Sequence, residues 1–163
     1  MKVFGTTQES IVDGPGFRFV VFVQGCSHKC PGCHNPSSHD PKGGKEMAVR
    51  DIINQMMSNP LTDGLTLSGG EPFEQAEDCF ELANFAKWYG LNVWCYTGYT
   101  FEHLRDHGTL MQKALLSQVD VLVDGPFVLP KRSLSLMWRG SSNQRVIDVH
   151  SSLTAGTVVT LPV

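Results

Sequence analysis

The sequence predicts an α/β fold in which parallel strands alternate with helices, as in an incomplete TIM-type βα barrel. Three observations predict this fold class. Apolar runs of strand length alternate with stretches of helical periodicity, which is typical of a parallel sheet with helices outside it. The 163 residues, 41% of them hydrophobic, suit one domain over 1–163 with a single core. The chain is also too short for the eight βα units of a closed barrel.

The predicted strands are short runs rich in β-branched and aromatic residues. The first, at 17–23, reads FRFVVFV and lies between Gly16 and Gly25. Such continuous apolar runs are typical of strands buried on both faces. The later predicted strands cover 65–67, 91–96, 119–123 and 145–149.

The predicted helices carry apolar residues at intervals of three and four. In the first, at 46–58, these residues form one stripe, and Pro60 ends the helix. Gly90 ends the second, and Thr100 is a candidate N-cap for the third. The second, third and fourth helices cover 73–89, 101–106 and 110–117. The tail at 151–163 matches no motif and is interpreted as an added edge strand or a partner contact.

Composition argues against several functional classes. The net charge is −3, and lysine and arginine are scattered rather than gathered in a stripe that could bind phosphates, so no nucleic-acid partner is expected. The N-terminus lacks the pattern of a signal peptide, and the longest apolar run is far too short to cross a bilayer. We therefore expect a cytoplasmic protein with no membrane partner.

Three of the five cysteines, Cys26, Cys30 and Cys33, fall within eight residues in the spacing C-x3-C-x2-C. In a reducing compartment such a cluster more often binds metal than forms disulfides. Three thiolates can hold an iron–sulfur cube and leave one iron open to a small molecule, whereas a structural metal site normally has four protein ligands.

Other interpretations of the cysteine cluster remain open. A zinc site of three cysteines and one histidine could use His28 or His34, and a redox disulfide with a spare thiol is also chemically acceptable. The remaining cysteines, Cys79 and Cys95, fall in a predicted helix and a predicted strand. We interpret both as buried, inert thiols.

Other unusual segments also follow predicted strands, namely Ser68-Gly69-Gly70-Glu71, Thr97-Gly98 and Asp124-Gly125. Because the carboxyl ends of parallel strands meet at one edge, we expect them to form one site with the cysteine loop.

Gly69 and Gly70 would let the backbone approach a ligand closely. Glu71 would accept from a charged amine, although a tight turn with a helix-capping acid fits the same residues. Asp124 is expected to be exposed at the mouth of the site, although a turn-capping role fits nearly as well.

The segment 138–144, WRGSSNQ, is dense in hydrogen-bond donors. An arginine there, Arg139, could pair with a carboxylate in two-pronged fashion. Ser141 and Asn143 are further candidate cofactor contacts. A solvated polar loop is the alternative interpretation.

The cysteine spacing and the GGE stretch resemble those of the radical S-adenosylmethionine superfamily. The resemblance implies a 4Fe-4S cluster whose open iron chelates the amino and carboxylate groups of S-adenosylmethionine. Reductive cleavage would then give methionine and a 5′-deoxyadenosyl radical. By the same resemblance, Gly69, Gly70 and Glu71 bind the amino group, while Gly32 and His34, beside the third cysteine, contact the adenine end. Cys33 itself is a further candidate cofactor contact. Many members have an aromatic residue where this chain has Gly32.

A closer resemblance is to the glycyl-radical activating enzymes that serve anaerobic ribonucleotide reductases. It is carried by residues spread over 13–145, chiefly DGPG at 13–16, Asn35, TGY at 97–99 and WRGSSNQ at 138–144. The family often has a tyrosine where this chain has His34. The resemblance implies a large anaerobic ribonucleoside-triphosphate reductase as protein substrate, which loses a hydrogen from a glycine Cα, and a flavodoxin or ferredoxin as electron donor. Alternatives are an activator of the pyruvate formate-lyase type, a non-catalytic zinc module and a simple electron carrier.

Overall fold

The computed structural model describes all 163 residues, and its centre is a seven-stranded sheet in the order β3-β1-β2-β4-β5-β6-β7. The strands are β1 (Lys2–Ser10), β2 (Arg18–Val23), β3 (Lys45–Glu46), β4 (Gly64–Gly69), β5 (Asn92–Tyr96), β6 (Val121–Asp124) and β7 (Arg145–Asp148). The helices are α1 (Val49–Met57), α2 (Ala76–Trp88), α3 (Phe101–His107), α4 (Leu110–Gln118) and α5 (Val149–Ala155). Short 3-10 helices cover Pro36–Ser38, Pro72–Gln75 and Leu129–Lys131.

Strands β2, β4, β5 and β6 run parallel and form the middle of the sheet. At one edge β1 and β3 are antiparallel additions, and at the other β7 pairs antiparallel with β6. The prediction of an α/β fold with parallel strands is confirmed. The elements predicted at 17–23, 65–67, 91–96 and 119–123 are the four parallel strands.

All five α-helices bury their apolar residues against one face of the sheet. Alternate strand residues such as Phe19, Leu67 and Cys95 face these helices and form the main core. Residues one step along each strand face the other way, and Trp94 and Val123 there join a smaller cluster covered by Trp138 and Leu161. Loops rather than helices therefore cover the second face.

Arg18 is buried on this loop-covered face. Its Nε donates to the Thr66 hydroxyl at 2.7 Å, its Nη2 to the Leu65 carbonyl at 2.8 Å and its Nη1 to the Pro15 carbonyl at 3.1 Å. The guanidinium carbon lies 5.6 Å from the centre of the Trp94 ring, and burial lowers the pKa of Arg18 to about 10. Arg18 thus shapes the 13–16 turn through its hydrogen bond to the Pro15 carbonyl.

Two segments differ from what the sequence predicts. Strand β1 has no continuous apolar run, and it forms because Val3 to Ser10 pair with β2. The tail is not mainly an edge strand, because its first residues, 151–155, belong to α5. The Asp148 carboxylate caps this helix by accepting from the Ser151 N–H, and Gly156 ends it at φ +74°. Only Thr160 forms a bridge, to Ile147. None of the helices is both long enough and apolar enough to span a bilayer.

Candidate functional site

A cavity of about 540 Å³ lies at the carboxyl ends of the parallel strands. All three clustered cysteines line it, together with Gly69, Gly70 and Glu71 of the loop after β4. Thr97 and Gly98 follow β5 and Gly125 follows β6 on the same wall. The predicted convergence of these loops is therefore present in the structure.

The cysteine loop is fixed at its start by backbone hydrogen bonds. The Gly25 N–H donates to the Ser38 carbonyl at 2.6 Å, and the Cys26 N–H donates to the His39 carbonyl at 3.1 Å. Cys26, Cys30 and Cys33 are all half-buried and none forms a disulfide. Burial, with a smaller contribution from nearby carboxylates, raises the pKa of Cys26 to about 11. A metal bound there would therefore have to displace a proton.

No group of three or more His, Cys, Asp or Glu side chains is arranged to hold a single metal ion. A zinc ion requires its ligand atoms within about 2.0–2.3 Å of one centre. The ligands of an iron–sulfur cube instead bind separate irons and lie farther apart. The zinc alternative thus has no preformed site in the structure.

The two glycines of the GGE stretch are required by close backbone contact. A Cβ on Gly70 would lie 2.3 Å from the Gly25 carbonyl oxygen, and Gly69 has a φ of +92°, which favours glycine. The Gly70 N–H donates to Val23 and the Glu71 N–H to Gly25, both at 2.8 Å. The glycine loop therefore rests directly on the start of the cysteine loop.

The Glu71 carboxylate is only 1% exposed, and donors of this chain occupy both of its oxygens. Oε1 accepts from His28 Nε2 at 2.6 Å and from the Gly98 N–H at 2.7 Å. Oε2 accepts from the Phe73 N–H at 3.1 Å, and the Thr97 hydroxyl lies 2.9 Å from both oxygens. The hydrogen bond to Glu71 raises the pKa of His28. The predicted binding of a ligand amine by Glu71 stays a prediction.

Asp124 is not exposed at the mouth of the site, so that expectation is wrong. It is 1% exposed and does not line the cavity. Arg145 donates to it at 3.0 and 2.6 Å, and the Phe101 N–H donates at 2.8 Å. The carboxylate is buried because these donors replace water, and it caps the start of α3. This is the capping role that the sequence also allowed.

The segment 138–144 contributes one predicted contact to the cavity wall, Arg139. Ser141 is fully buried and its hydroxyl accepts from the Val128 N–H at 3.2 Å. The Asn143 amide donates to the Pro126 carbonyl at 2.8 Å. Neither residue lines the cavity, and both satisfy backbone groups of the neighbouring loop.

Of the two predicted adenine contacts, His34 lines the cavity and Gly32 does not, and Cys33 between them also lines it. Gly32 has a φ of +74° and packs beside Leu129. The His34 ring lies 5.1 Å from the Phe127 ring, measured between centres. The structure thus brings part of this predicted set to the cavity.

Several wall residues were not predicted as site residues, chiefly apolar ones. Tyr96 was detectable, because strand alternation places it opposite the buried Cys95 and away from the helices. Phe127 and Leu136 belong to a loop whose path no local pattern predicts. Trp138 and Gln144 lie in the donor-rich segment 138–144, in which only Arg139, Ser141 and Asn143 were predicted as site residues.

Comparison with known proteins agrees with this geometry. A family model described as a 4Fe-4S single cluster domain matches residues 12–147. The anaerobic ribonucleoside-triphosphate reductase-activating protein of Escherichia coli K12 is 39% identical over 144 residues, covering 83% of this chain and 91% of the relative. The protein of that name from enterobacteria phage T4 is 36% identical, covering 83% and 86%. The protein of that name from Vibrio cholerae is 38% identical, and the match covers 82% of this chain and 89% of the relative.

Among solved structures, QueE from Escherichia coli has a similar fold, with a TM-score of 0.51 and 16% identity. The likeness covers 61% of this chain and 52% of that one. Fold, site and relatives together define an enzyme of the radical S-adenosylmethionine oxidoreductase type. Within that class, the chain belongs to the family of anaerobic ribonucleoside-triphosphate reductase-activating proteins, which confirms the resemblance seen in its sequence.

Proposed function

We propose that this protein activates an anaerobic ribonucleotide reductase by generating a glycyl radical on it. In this proposal Cys26, Cys30 and Cys33 hold a 4Fe-4S cluster, and S-adenosylmethionine binds beside it. The reduced cluster and S-adenosylmethionine would supply the reductive carbon–sulfur cleavage that lets a hydrogen atom be taken from a glycine Cα. The observation that most strongly supports this proposal is that all three thiols and the glycine loop line the same cavity.

The residues present fit these groups. The three thiols are free and half-buried, whereas Cys79 and Cys95 are fully buried in the core. The cavity of about 540 Å³ lies within the range of roughly 300–1,000 Å³ typical of small-molecule sites. The Nε of Arg139 is buried without a hydrogen-bond partner, which is costly unless a ligand supplies an acceptor.

Each cofactor contact is a separate part of the proposal. The backbone of Gly69 and Gly70 would approach the amino group of S-adenosylmethionine, and Arg139 its carboxylate. His34 and the backbone around Gly32 would contact the adenine end. The three candidates that do not line the cavity would position neighbours that do. Asp124 precedes Gly125, Ser141 follows Gly140, and Asn143 precedes Gln144.

We also propose that the sheet is an incomplete βα barrel. In support, the helices cover only one face, and the cavity lies on the loop-covered face at the carboxyl ends of the strands. The fold likeness to QueE adds to this. The predicted single domain, 1–163, is part of the same proposal, because one main core joins residues from Met1 to Val149.

The electron donor would be a flavodoxin or ferredoxin in the cytoplasm. A second cavity, of about 440 Å³, shares only Cys26 with the first. Lys2 and Lys29 line it, and neither forms an ion pair. With one carboxylate, that of Glu74, against these two lysines, the wall carries a net positive charge, which favours an acidic partner protein. Five free thiols and no disulfide suit a reducing compartment.

The test is to mix the reduced protein and S-adenosylmethionine, without oxygen, with each of two partners. These are a large anaerobic ribonucleoside-triphosphate reductase and a pyruvate formate-lyase. The proposal predicts a glycyl-radical signal in electron paramagnetic resonance with the reductase. A signal with only the lyase would favour the pyruvate formate-lyase type of activator, and no signal with either would overturn the proposed activity.

A further inference from the structure

His28 lies between two of the proposed cluster ligands, Cys26 and Cys30, and its side chain points to the glycine loop. Its Nε2 contacts Glu71 Oε1 at 2.6 Å, and its ring meets the Tyr99 ring edge-on with centres 4.5 Å apart. A Cβ on Gly98 would lie 2.5 Å from the His28 ring. The chain after β5 is thus shaped to receive this imidazole.

The hydrogen-bonding groups around Glu71 also favour its contact with His28. Its buried carboxylate pairs with no lysine or arginine, and His28 is its one ion-pairing partner. The Thr97 hydroxyl and the Gly98 N–H hold the carboxylate from the loop after β5, and the Phe73 N–H holds it from the segment after Glu71. The carboxylate is therefore fixed by three donors before His28 meets it.

The backbone next to His28 shows that the loop is held in place. Lys29 has a φ of +52°, in the left-handed region that residues other than glycine rarely adopt. Such a conformation persists where surrounding contacts determine it. Beside His28, Ser27 is anchored by a second acid, since its N–H donates to Glu74 Oε1 at 3.0 Å.

We infer that Glu71 is a positioning residue, which sets the Cys26–Cys30 segment through its contact with His28 rather than offering a free carboxylate to a ligand. The Cys26 and Cys30 thiols would then be presented to the cluster in a fixed geometry before it assembles. This inference rests on the proposed function.

The experiment uses the full chain reconstituted with iron and sulfide without oxygen. Iron and sulfide per chain and the binding of S-adenosylmethionine are measured, followed by the rate at which a strong iron chelator removes the iron. The variants are His28→Ala, Glu71→Gln and His28→Gln, in which the glutamine amide can still donate to Glu71. His39→Ala is the matched control, because only the backbone of His39 contacts the cysteine loop. Thermal unfolding of each apo-protein reports whether the fold survives.

We expect His28→Ala and Glu71→Gln to lose iron about tenfold faster than the unaltered protein, the scale set by one lost hydrogen bond to a charged group. His28→Gln and His39→Ala should lose it at nearly the normal rate. Should Glu71→Gln fail to fold, His28→Ala and His28→Gln decide the question alone.

Two results would overturn the inference. One is iron loss from His28→Ala no faster than from His39→Ala. The other is a Glu71→Gln variant that holds its cluster normally but no longer binds S-adenosylmethionine, which would make Glu71 a ligand contact. If the unaltered chain assembles no cluster, the proposed function itself fails, and this outcome is distinct from both.

Discussion

The α-carbon of Gly70 lies against the Gly25 carbonyl, so closely that a Cβ at position 70 would be 2.3 Å from that oxygen. This contact joins the glycine loop to the cysteine loop. Both loops follow adjacent parallel strands, β2 and β4, which end in register with Val23 beside Gly69. The relative position of the two motifs therefore depends on the absence of a side chain at one residue.

Gly70→Ala should separate the two loops. The added methyl meets backbone that can move only with its strand, so we expect a loss of about 1–3 kcal/mol in the free energy of unfolding and a lower iron content after reconstitution. Gly5→Ala is the control, because a Cβ there meets nothing within 4 Å. Urea unfolding and iron analysis measure both effects, and equal results for the two variants would contradict the account.

Arg145→Met should destabilise the protein by leaving a buried carboxylate without its cation. Asp124 is 1% exposed and would keep only the Phe101 N–H as a donor. We expect a loss of about 3 kcal/mol in the free energy of unfolding, the low end for a broken buried pair because Arg145 is partly exposed. Arg50→Met, on exposed helix surface, should change it by less than about 0.5 kcal/mol. A loss no larger than that of the control would mean that water reaches Asp124.

Glu102 predicts a pH dependence. Hydrogen bonds from Arg145, at 2.9 and 2.8 Å, hold the pKa of Glu102 below its usual 4.5. A lowered folded pKa stabilises the fold above the unfolded pKa, and this stabilisation is lost as the pH falls through the folded value.

The stability gap between the unaltered protein and Glu102→Gln should therefore be full at pH 7 and shrink below about pH 4.5. Because Glu102 is partly exposed, the gap should be about 0.5–1 kcal/mol. Glu81→Gln, at an exposed position without an ion pair, should show no such gap. A gap that is constant from pH 7 to pH 3 would rule out the titration of Glu102 as its source.

Lys29→Glu should weaken binding of an acidic electron donor. Lys29 lines the second cavity beside Cys26, and reversing its charge should raise the Kd for oxidised flavodoxin about tenfold at low salt, with less effect at high salt. Lys113→Glu, on exposed α4 surface, makes the same charge change elsewhere and should have little effect. Titration calorimetry at two salt concentrations measures the Kd of each variant for flavodoxin. Equal effects of the two substitutions would mean that the donor binds another face of the protein.

Much of the site was predictable because its parts are local patterns. The cysteine spacing, the glycines and the ends of the parallel strands each follow from a few neighbouring residues, and sheet geometry brings them together. The prediction that Asp124 is exposed was wrong because Arg145 buries it. Arg145 lies on β7, and its place beside Asp124 depends on how β6 and β7 pair in the folded sheet. The hydrogen bonds of the Glu71 carboxylate likewise come from His28 and Thr97, which are distant from it in sequence. Strand β1 was missed because pairing with β2, rather than its own polar residues, makes it a strand.

We propose that Cys26, Cys30 and Cys33 hold a cluster that cleaves S-adenosylmethionine. The most direct measurement is iron, sulfide and 5′-deoxyadenosine per chain in oxygen-free preparations supplied with a reductant. It compares the unaltered protein with Cys30→Ala and with Cys79→Ala, whose thiol is fully buried. We expect the unaltered protein and Cys79→Ala to contain about four irons and four sulfides per chain and to release 5′-deoxyadenosine. Cys30→Ala should contain no cluster and release no 5′-deoxyadenosine. A colourless unaltered protein that releases no 5′-deoxyadenosine, or equal loss in the two variants, would contradict this proposal.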